Sequence, residues 1–489
     1  MLDATAQAEL VRSGQVSPVE LVDEAIGRIE TLNPDLNAVI IPTFDKARAE
    51  AATASGPFRG VPYVLKDTMS TNGDPYTAAI RAVKVAGHRG DRDAYFVERM
   101  RAAGFVLVGK TNTPELALVS TTESAAWGQC RNPWDLDRSA GGSSGGSAVA
   151  VASGMVAVAH GSDGGGSVRE PAAKCGIVGL KPTRGRLSQG PMVVDSDNVS
   201  GMAHEGLLTR TVRDLAAMLD VAGGRRPGDP FGAPPPLRPY AQEVGRDPGR
   251  LRIGVLTEDP AGQLTVDPEC VAATRRTVDI LSGLGHQLGE SYPAAIHESS
   301  WPMEFMPCVA VVVLREVERF GRLIGRALTE DDVEPQTWAY VQMGRAVTGA
   351  QYAAGVDALR VQAHETERWW EEDGWDLLLS PTLTIQTPRL GEFHPTKEDP
   401  FGSLGMEPSR FTVPSNVTGQ PAISLPLHWS ADGMPIGVQL TAAYGREDVL
   451  IRVAAQLEAA MPWAEQRPPH SVSGRRPSYA DEQSKGHVA

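Results

Sequence analysis

The chain has 489 residues, 41% of them hydrophobic, which is enough apolar material for one large α/β domain or two to three smaller ones. Its net charge of −14 argues against a surface built to coat nucleic acid or anionic lipid. The four cysteines (Cys130, Cys175, Cys270 and Cys308) lie far apart and form no CxxC pair, which points to reduced thiols in the cytoplasm rather than a disulfide framework.

The opening "MLDATAQAEL" has neither the basic nor the apolar stretch of a signal peptide. "SPVELVDEAIGRI" predicts a helix from residue 17. Ser17 is the N-cap, Pro18 takes the first helical position and Glu20 completes a capping box. Val22, Ala25, Ile26 and Ile29 then share one apolar face. "GVPYVLKD" (60–67) reads as a short buried strand ending in Lys66, "DAYFVERMRAAG" (93–104) as an amphipathic helix and "FVLVGKT" (105–111) as a strand. Between 141 and 181, glycine clusters alternate with small apolar runs. "PGDPFGAPPPLRP" (227–239) is a connector, "LRIGVL" (251–256) a strand, and helices dominate 268–372. The longest apolar run in that region, "CVAVVVL" (308–314), is too short to span a bilayer. Late strands are expected at 375–383, 421–427 and 437–443, and the tail after about 465 is polar and expected to be disordered. This alternation predicts an α/β fold.

Several motifs compete. "GFVLVGKT" (104–111) fits the P-loop spelling, yet a true P-loop has its strand before the first glycine. Here the bulky residues Phe105 to Val108 read as the strand itself, which argues against a phosphate role for Lys110. "GGSSGGS" (141–147) contains G-x-S-x-G twice, at Ser143 and Ser144, but a nucleophile elbow needs a strand in front of it. The preceding "RNPWDLDRSA" is polar and loop-like. His204 and His286 keep a Ser-His-Asp arrangement open, and the ten histidines spell no metal-binding motif. Lys66 ends an apolar segment, where a lysine is costly unless paired or neutral. It either pairs with the adjacent Asp67 or, desolvated, has a depressed pKa and serves as a base. In "HGSDGGGSVREP" (160–171), three glycines run into Ser167. That composition suits a linker, or a loop whose backbone must press against a ligand.

Lys66, "GGSSGGS" and "GSDGGGSVREPAAKCGIVGLKPTRG" together resemble the amidase signature family, and "FTVPSNVTGQPAISLPLHWSADGMPIGVQLTAAYGRED" (411–448) resembles its closing pattern. The resemblance covers roughly residues 5–460. It implies a single large domain over 1–465, a twisted mixed β-sheet covered by helices on both faces, followed by a tail at 466–489. It also implies roles: Ser167 as nucleophile, Ser143 as bridging serine after a cis Gly142–Ser143 peptide, and Lys66 as base. Backbone N–H groups of Gly164, Gly165, Gly166 and Ser167 would form the oxyanion hole, with a helix starting at Ser167 behind them. Side chains at 164–166 would block that hole. Ser144, Asp163 and Arg169 would support the loop.

Three positions depart from the family pattern: glycine at 164, Leu118 where a polar residue faces substrate, and Lys174 where a bulky apolar residue is usual. The expected reaction is hydrolysis of a C–N bond through an acyl-enzyme, without metal or organic cofactor. The chain most resembles members that act on cyclic or linear nylon-type amides. Small aryl amides, esters and carbamates (a urethanase) are alternatives, as is the glutaminase subunit of a tRNA-dependent amidotransferase. "WPMEFMPCVAVVVLREVERFG" (301–321) reads as a core helix, or else presents Trp301, Phe305 or Cys308 to substrate. A small molecule is the expected partner, with no nucleic acid or membrane, and homodimerisation is left open.

Overall fold

The computed structural model describes residues 2–191, 201–298, 301–401 and 407–472. The strands in chain order are β1 (Val39–Pro42), β2 (Pro62–Lys66), β3 (Val106–Thr111), a small hairpin of β4 (Glu123–Ser124) and β5 (Gly128–Gln129), β6 (Val158–Asp163), β7 (Val178–Lys181), β8 (His204–Thr209), β9 (Arg252–Val255), β10 (Gln287–Glu290), β11 (Leu377–Pro381), β12 (Ala422–Trp429) and β13 (Pro435–Ala442). Apart from the hairpin they form one eleven-stranded sheet in the order β1-β3-β2-β6-β8-β7-β12-β13-β11-β9-β10. β3, β2 and β6 are parallel neighbours, whereas β6, β8, β7, β12, β13 and β11 alternate in direction. The sheet is therefore mixed, as expected.

Strand β2 explains why helices cover both faces. All five of its residues are buried. Tyr63 and Leu65 pack into a core with Phe96, Leu207 and Leu215, while Val64 packs into a second core with Ile26 and Val149. A strand buried on both sides reads as a continuous apolar run rather than an alternation. Helix Pro18–Leu36 supplies part of the second core through Val22, Ile26 and Ile29, and its start has the expected capping box. Helix Tyr95–Ala102 supplies Phe96 and Val97 to the first. Helix Val212–Ala222 adds Leu215 and Leu219 on the same side.

The P-loop spelling dissolves in this frame. Residues 106–111 are strand β3, so no backbone cradle forms. The Lys110 amine is buried, donates to the carbonyls of Met69 and Pro75 at 3.0 and 2.8 Å, and lies 3.6 Å from the Asp67 carboxylate. That contact also corrects the simplest reading of Lys66. Asp67 is engaged by Lys110 and Thr77, not by its chain neighbour, because successive residues leave a strand on opposite faces.

Two boundaries differ from expectation. The helix after the triple glycine is Arg169–Cys175, two residues later than Ser167, because the turn before it is organised by Asp163. The chain past 465 does not leave the body at once. Gln466 accepts from Arg210, His470 donates to Pro133 O and Val472 donates to Ser153 O. The rest of the expected tail, 473–489, lies outside the described residues. No helix among the described residues is long and apolar enough to cross a membrane.

Lys110→Ala should lower unfolding stability by about 3–5 kcal/mol, because it leaves the Asp67 carboxylate buried without its cation. Urea unfolding followed by fluorescence reads this, with nucleotide binding absent in both proteins.

Candidate active site

Strand β2 delivers Lys66 to the end of the sheet, fully buried. Its amine donates to Ser143 Oγ at 2.7 Å, Ser162 Oγ at 2.9 Å and Ser162 O at 3.3 Å. No carboxylate lies within ion-pair distance of it among the described residues. Burial penalises the ammonium and lowers the Lys66 pKa to about 7, with the carboxylates of Glu205 and Asp163 opposing the shift.

Ser143 sits where the loop from β5 enters helix Gly145–Ala152, and the Gly142–Ser143 peptide is cis. No strand precedes it, so the elbow reading fails on geometry. Glycine is required at 142, since a Cβ there would lie 2.7 Å from the backbone carbonyl carbon of Thr121. Ser144 ties this loop to the triple-glycine loop. Its N–H donates to Ser167 O at 3.1 Å, and its hydroxyl exchanges hydrogen bonds with the Ser162 backbone at 3.2 and 3.3 Å.

The triple-glycine loop is held from below by Asp163. Its carboxylate accepts the N–H of Gly166 at 2.8 Å and of Val168 at 3.2 Å, and a two-pronged bond from Arg169 at 2.9 and 2.8 Å. Burial alone would raise the Asp163 pKa, but Arg169 and the Asn416 amide bring it down to about 2. Arg169 spends its other N–H groups on Thr412 O, Ser415 Oγ, Gln439 Oε1 and Asn416 Oδ1, at 2.7 to 2.8 Å. Thr412 Oγ1 in turn donates to Gly165 O at 2.5 Å.

This network revises the oxyanion expectation. The Gly166 amide is committed to Asp163, so only the amides of Gly164, Gly165 and Ser167 are left to face a substrate oxygen. The need for glycine is also sharper than expected. At Gly166 φ is +141°, and a Cβ would lie 2.5 Å from Thr412 Oγ1. At Gly164 a Cβ would meet only Ala203 Cβ, at an ordinary 3.6 Å. At 166 the packing of the loop itself demands glycine, whereas at 164 a Cβ would fit the protein and project toward the cavity that Gly164 lines.

Ser143, Ser162, Gly164, Gly165 and Ser167 open into a cavity of about 440 Å³. Its long wall is helix Trp301–Leu323, which presents Phe305, Val309, Val312, Glu316, Arg319 and Phe320. The span from 305 to 320 is about 22 Å at the helical rise per residue. Leu118 also lines the cavity. Of the three residues singled out on this helix, Phe305 lines the cavity. Cys308 is buried behind the wall with Ile296, Val356 and Val413. The side chain of Trp301 lies outside the described ones. Lys174 is buried one turn from Glu170, away from the cavity.

The histidines do not complete a triad. Burial, aided by Lys181, Arg184 and Arg169, drives the His204 pKa well below its usual value. His286 accepts from Leu251 N–H at 3.2 Å and meets Gln456 at 3.0 Å. Neither hydrogen-bonds to Ser143 or Ser167. Ser162, Thr412, Asn416 and Gln439 escaped the sequence reading, although all four fall inside the two motif blocks.

Residues 20–451 match the amidase family, and the chain belongs to it. Among its relatives, the 6-aminohexanoate-cyclic-dimer hydrolase of Paenarthrobacter ureafaciens is 57% identical over 95% of this chain and 96% of its own length. An acylamidase of Rhodococcus erythropolis is 34% identical over 96% of this chain and 98% of its own. The solved structure of a 6-aminohexanoate cyclic dimer hydrolase complexed with substrate superposes with a TM-score of 0.94 at 56% identity, covering 96% of this chain and 99% of that one.

Gly166→Ala should abolish activity and lower the melting temperature, because backbone and Glu170 must both move. Gly164→Ala should fold normally and change only KM, through the smaller cavity. Thermal unfolding and steady-state kinetics separate the two.

Proposed function

We propose that this chain is a serine amidohydrolase that opens cyclic or linear 6-aminohexanoate-type amides. The observation that carries the reading is the 2.7 Å bond from the buried Lys66 amine to Ser143 Oγ, on the floor of a cavity shared with Ser167. Neutral Lys66 accepts the Ser143 proton while Ser143 accepts that of Ser167. The Ser167 oxygen attacks the amide carbonyl. The amides of Gly164, Gly165 and Ser167 receive the developing negative charge. Collapse breaks the C–N bond, and the leaving nitrogen takes the Ser143 proton, which Lys66 replaces. Water then hydrolyses the Ser167 ester by the same relay in reverse.

The substrate class follows from the walls. Phe305, Leu118, Val309 and Val312 offer methylene chains an apolar surface, with polar groups concentrated at the serine end and at the Arg319–Glu316 pair. The likeness to cyclic-dimer hydrolases supports the same class. Aryl amides, esters and carbamates form the second reading, favoured by the rings of Phe305, Phe393 and Phe401 in the same cavity. A glutaminase subunit is disfavoured, because a short polar side chain matches these walls poorly. All four thiols are buried and none forms a disulfide, which supports the proposal of a reducing, cytoplasmic setting.

Ser167→Ala should lose both hydrolysis and fluorophosphonate labelling, by intact mass, while keeping its fold. Labelling that survives there and vanishes in Ser143→Ala would reverse the two serine roles. The lysine must be neutral to act, so kcat/KM should rise about tenfold per pH unit below about 7 and level off above it. Lys66→Ala should lose amide hydrolysis by several orders of magnitude and ester hydrolysis less, since an alkoxide leaves without a proton more readily than an amine.

A further inference from the structure

A carboxylate that none of these steps uses sits across the sheet from the serine that holds the Lys66 amine. In the β6–β8 ladder, Glu205 is directly opposite Ser162, whose hydroxyl holds Lys66 at 2.9 Å. Opposed residues of an antiparallel pair share a face. His160, two residues before Ser162, shares that face too, and its Nε2 meets Glu205 Oε2 at 2.7 Å. Glu205 also lines the reaction cavity.

The His160 ring defines the direction of this contact. Its Nδ1 is buried without a hydrogen-bond partner, and the Phe96 ring packs against it at 4.7 Å between centroids. A protonated ring would place an unpaired N–H⁺ in that apolar contact, whereas a neutral ring leaves only a weak acceptor there. The contact is therefore read as Nε2–H donating to the Glu205 carboxylate, which it holds in place. The other acids near Lys66 are compensated: Asp163 by Arg169, and Asp67 by Lys110. Other groups facing this region are the hydroxyls of Ser143 and Ser162, the buried His204 beside Glu205 on β8, and Arg184, Asp229 and Arg315, which line a second cavity that Glu205 also borders.

We propose that Glu205, fixed by His160, is a positioning residue that sets the pH at which Lys66 becomes a base. Burial pulls the amine's pKa down, and the Glu205 carboxylate opposes that pull more than any other charge, ahead of Asp163. Their balance leaves the amine in the neutral range, where a general base is most effective. The proposal rests on the reading of Lys66 as the base.

The test is the pH dependence of kcat/KM on 6-aminohexanoate cyclic dimer with the full chain. Glu205→Gln should move the midpoint to lower pH by about one unit and reduce the plateau several-fold. Glu205→Ala carries the same expectation if Glu205→Gln does not fold. Glu205→Asp keeps the charge and should hold the midpoint near wild type. An unchanged midpoint in Glu205→Gln, or an equal shift in Glu205→Asp, would overturn the proposal, because packing alone lowers rates without moving a titration. Lys66→Ala tells the two failures apart. If it retains amide hydrolysis, the reading of Lys66 falls. If it loses it while the Glu205→Gln midpoint stays put, only the role of Glu205 falls.

Discussion

An amine buried without an ion-pair partner is the constraint around which this molecule is arranged. Two lysines on adjacent parallel strands make the point by contrast. Lys110 and Lys66 are both fully buried, at nearly the same level of the sheet. Lys110 is given a carboxylate and two carbonyls, which oppose the downward pull of burial on its pKa, and it ties together the segments that carry them. Lys66 is given two hydroxyls and one carbonyl, which accept hydrogen bonds but supply no countercharge. The same side chain is a strut in one place and the proposed proton acceptor in the other, and the difference is a carboxylate within ion-pair distance.

That arrangement needs its serines held still. Ser144 links the Ser143 loop to the Ser167 loop, and Asp163 organises the turn between β6 and the following helix. Asp163 is steady only because Arg169 neutralises it. Arg169 in turn is satisfied by groups from 412–416 and from β13. The proposed reacting groups therefore come from the first 167 residues and the clamp from residues 412–439, with helix Trp301–Leu323 between them shaping the cavity.

Much of this was legible because it is local. The capping box at Ser17, the buried strand ending in Lys66 and the glycine demand near Ser167 all follow from neighbours within a few residues. The errors share a cause of the opposite kind. Asp67 pairs with Lys110, 43 positions away, and the Gly166 amide turns inward to Asp163 rather than outward. Cys308 sits behind the cavity wall because a helix face is set by what packs around it, which spacing along one helix does not report. Glu205 and His160 are invisible for the same reason. They meet only through the register of β6 on β8, and "HE" alone is an ordinary dipeptide.

The clamp on Arg169 has a consequence in time as well as in space. A nascent chain emerging in order presents Lys66, Ser143 and Ser167 long before Thr412, Asn416 and Gln439 exist. Until those residues dock, Arg169 keeps Asp163 as its partner but lacks its acceptors on Thr412, Asn416 and Gln439, and the Gly165 carbonyl lacks the Thr412 hydroxyl. A ribosome-bound fragment can thus carry every side chain of the proposed relay and still lack the clamp that steadies it. On the proposed roles, the nucleophile loop is fully braced only after residues 412–439 have been made.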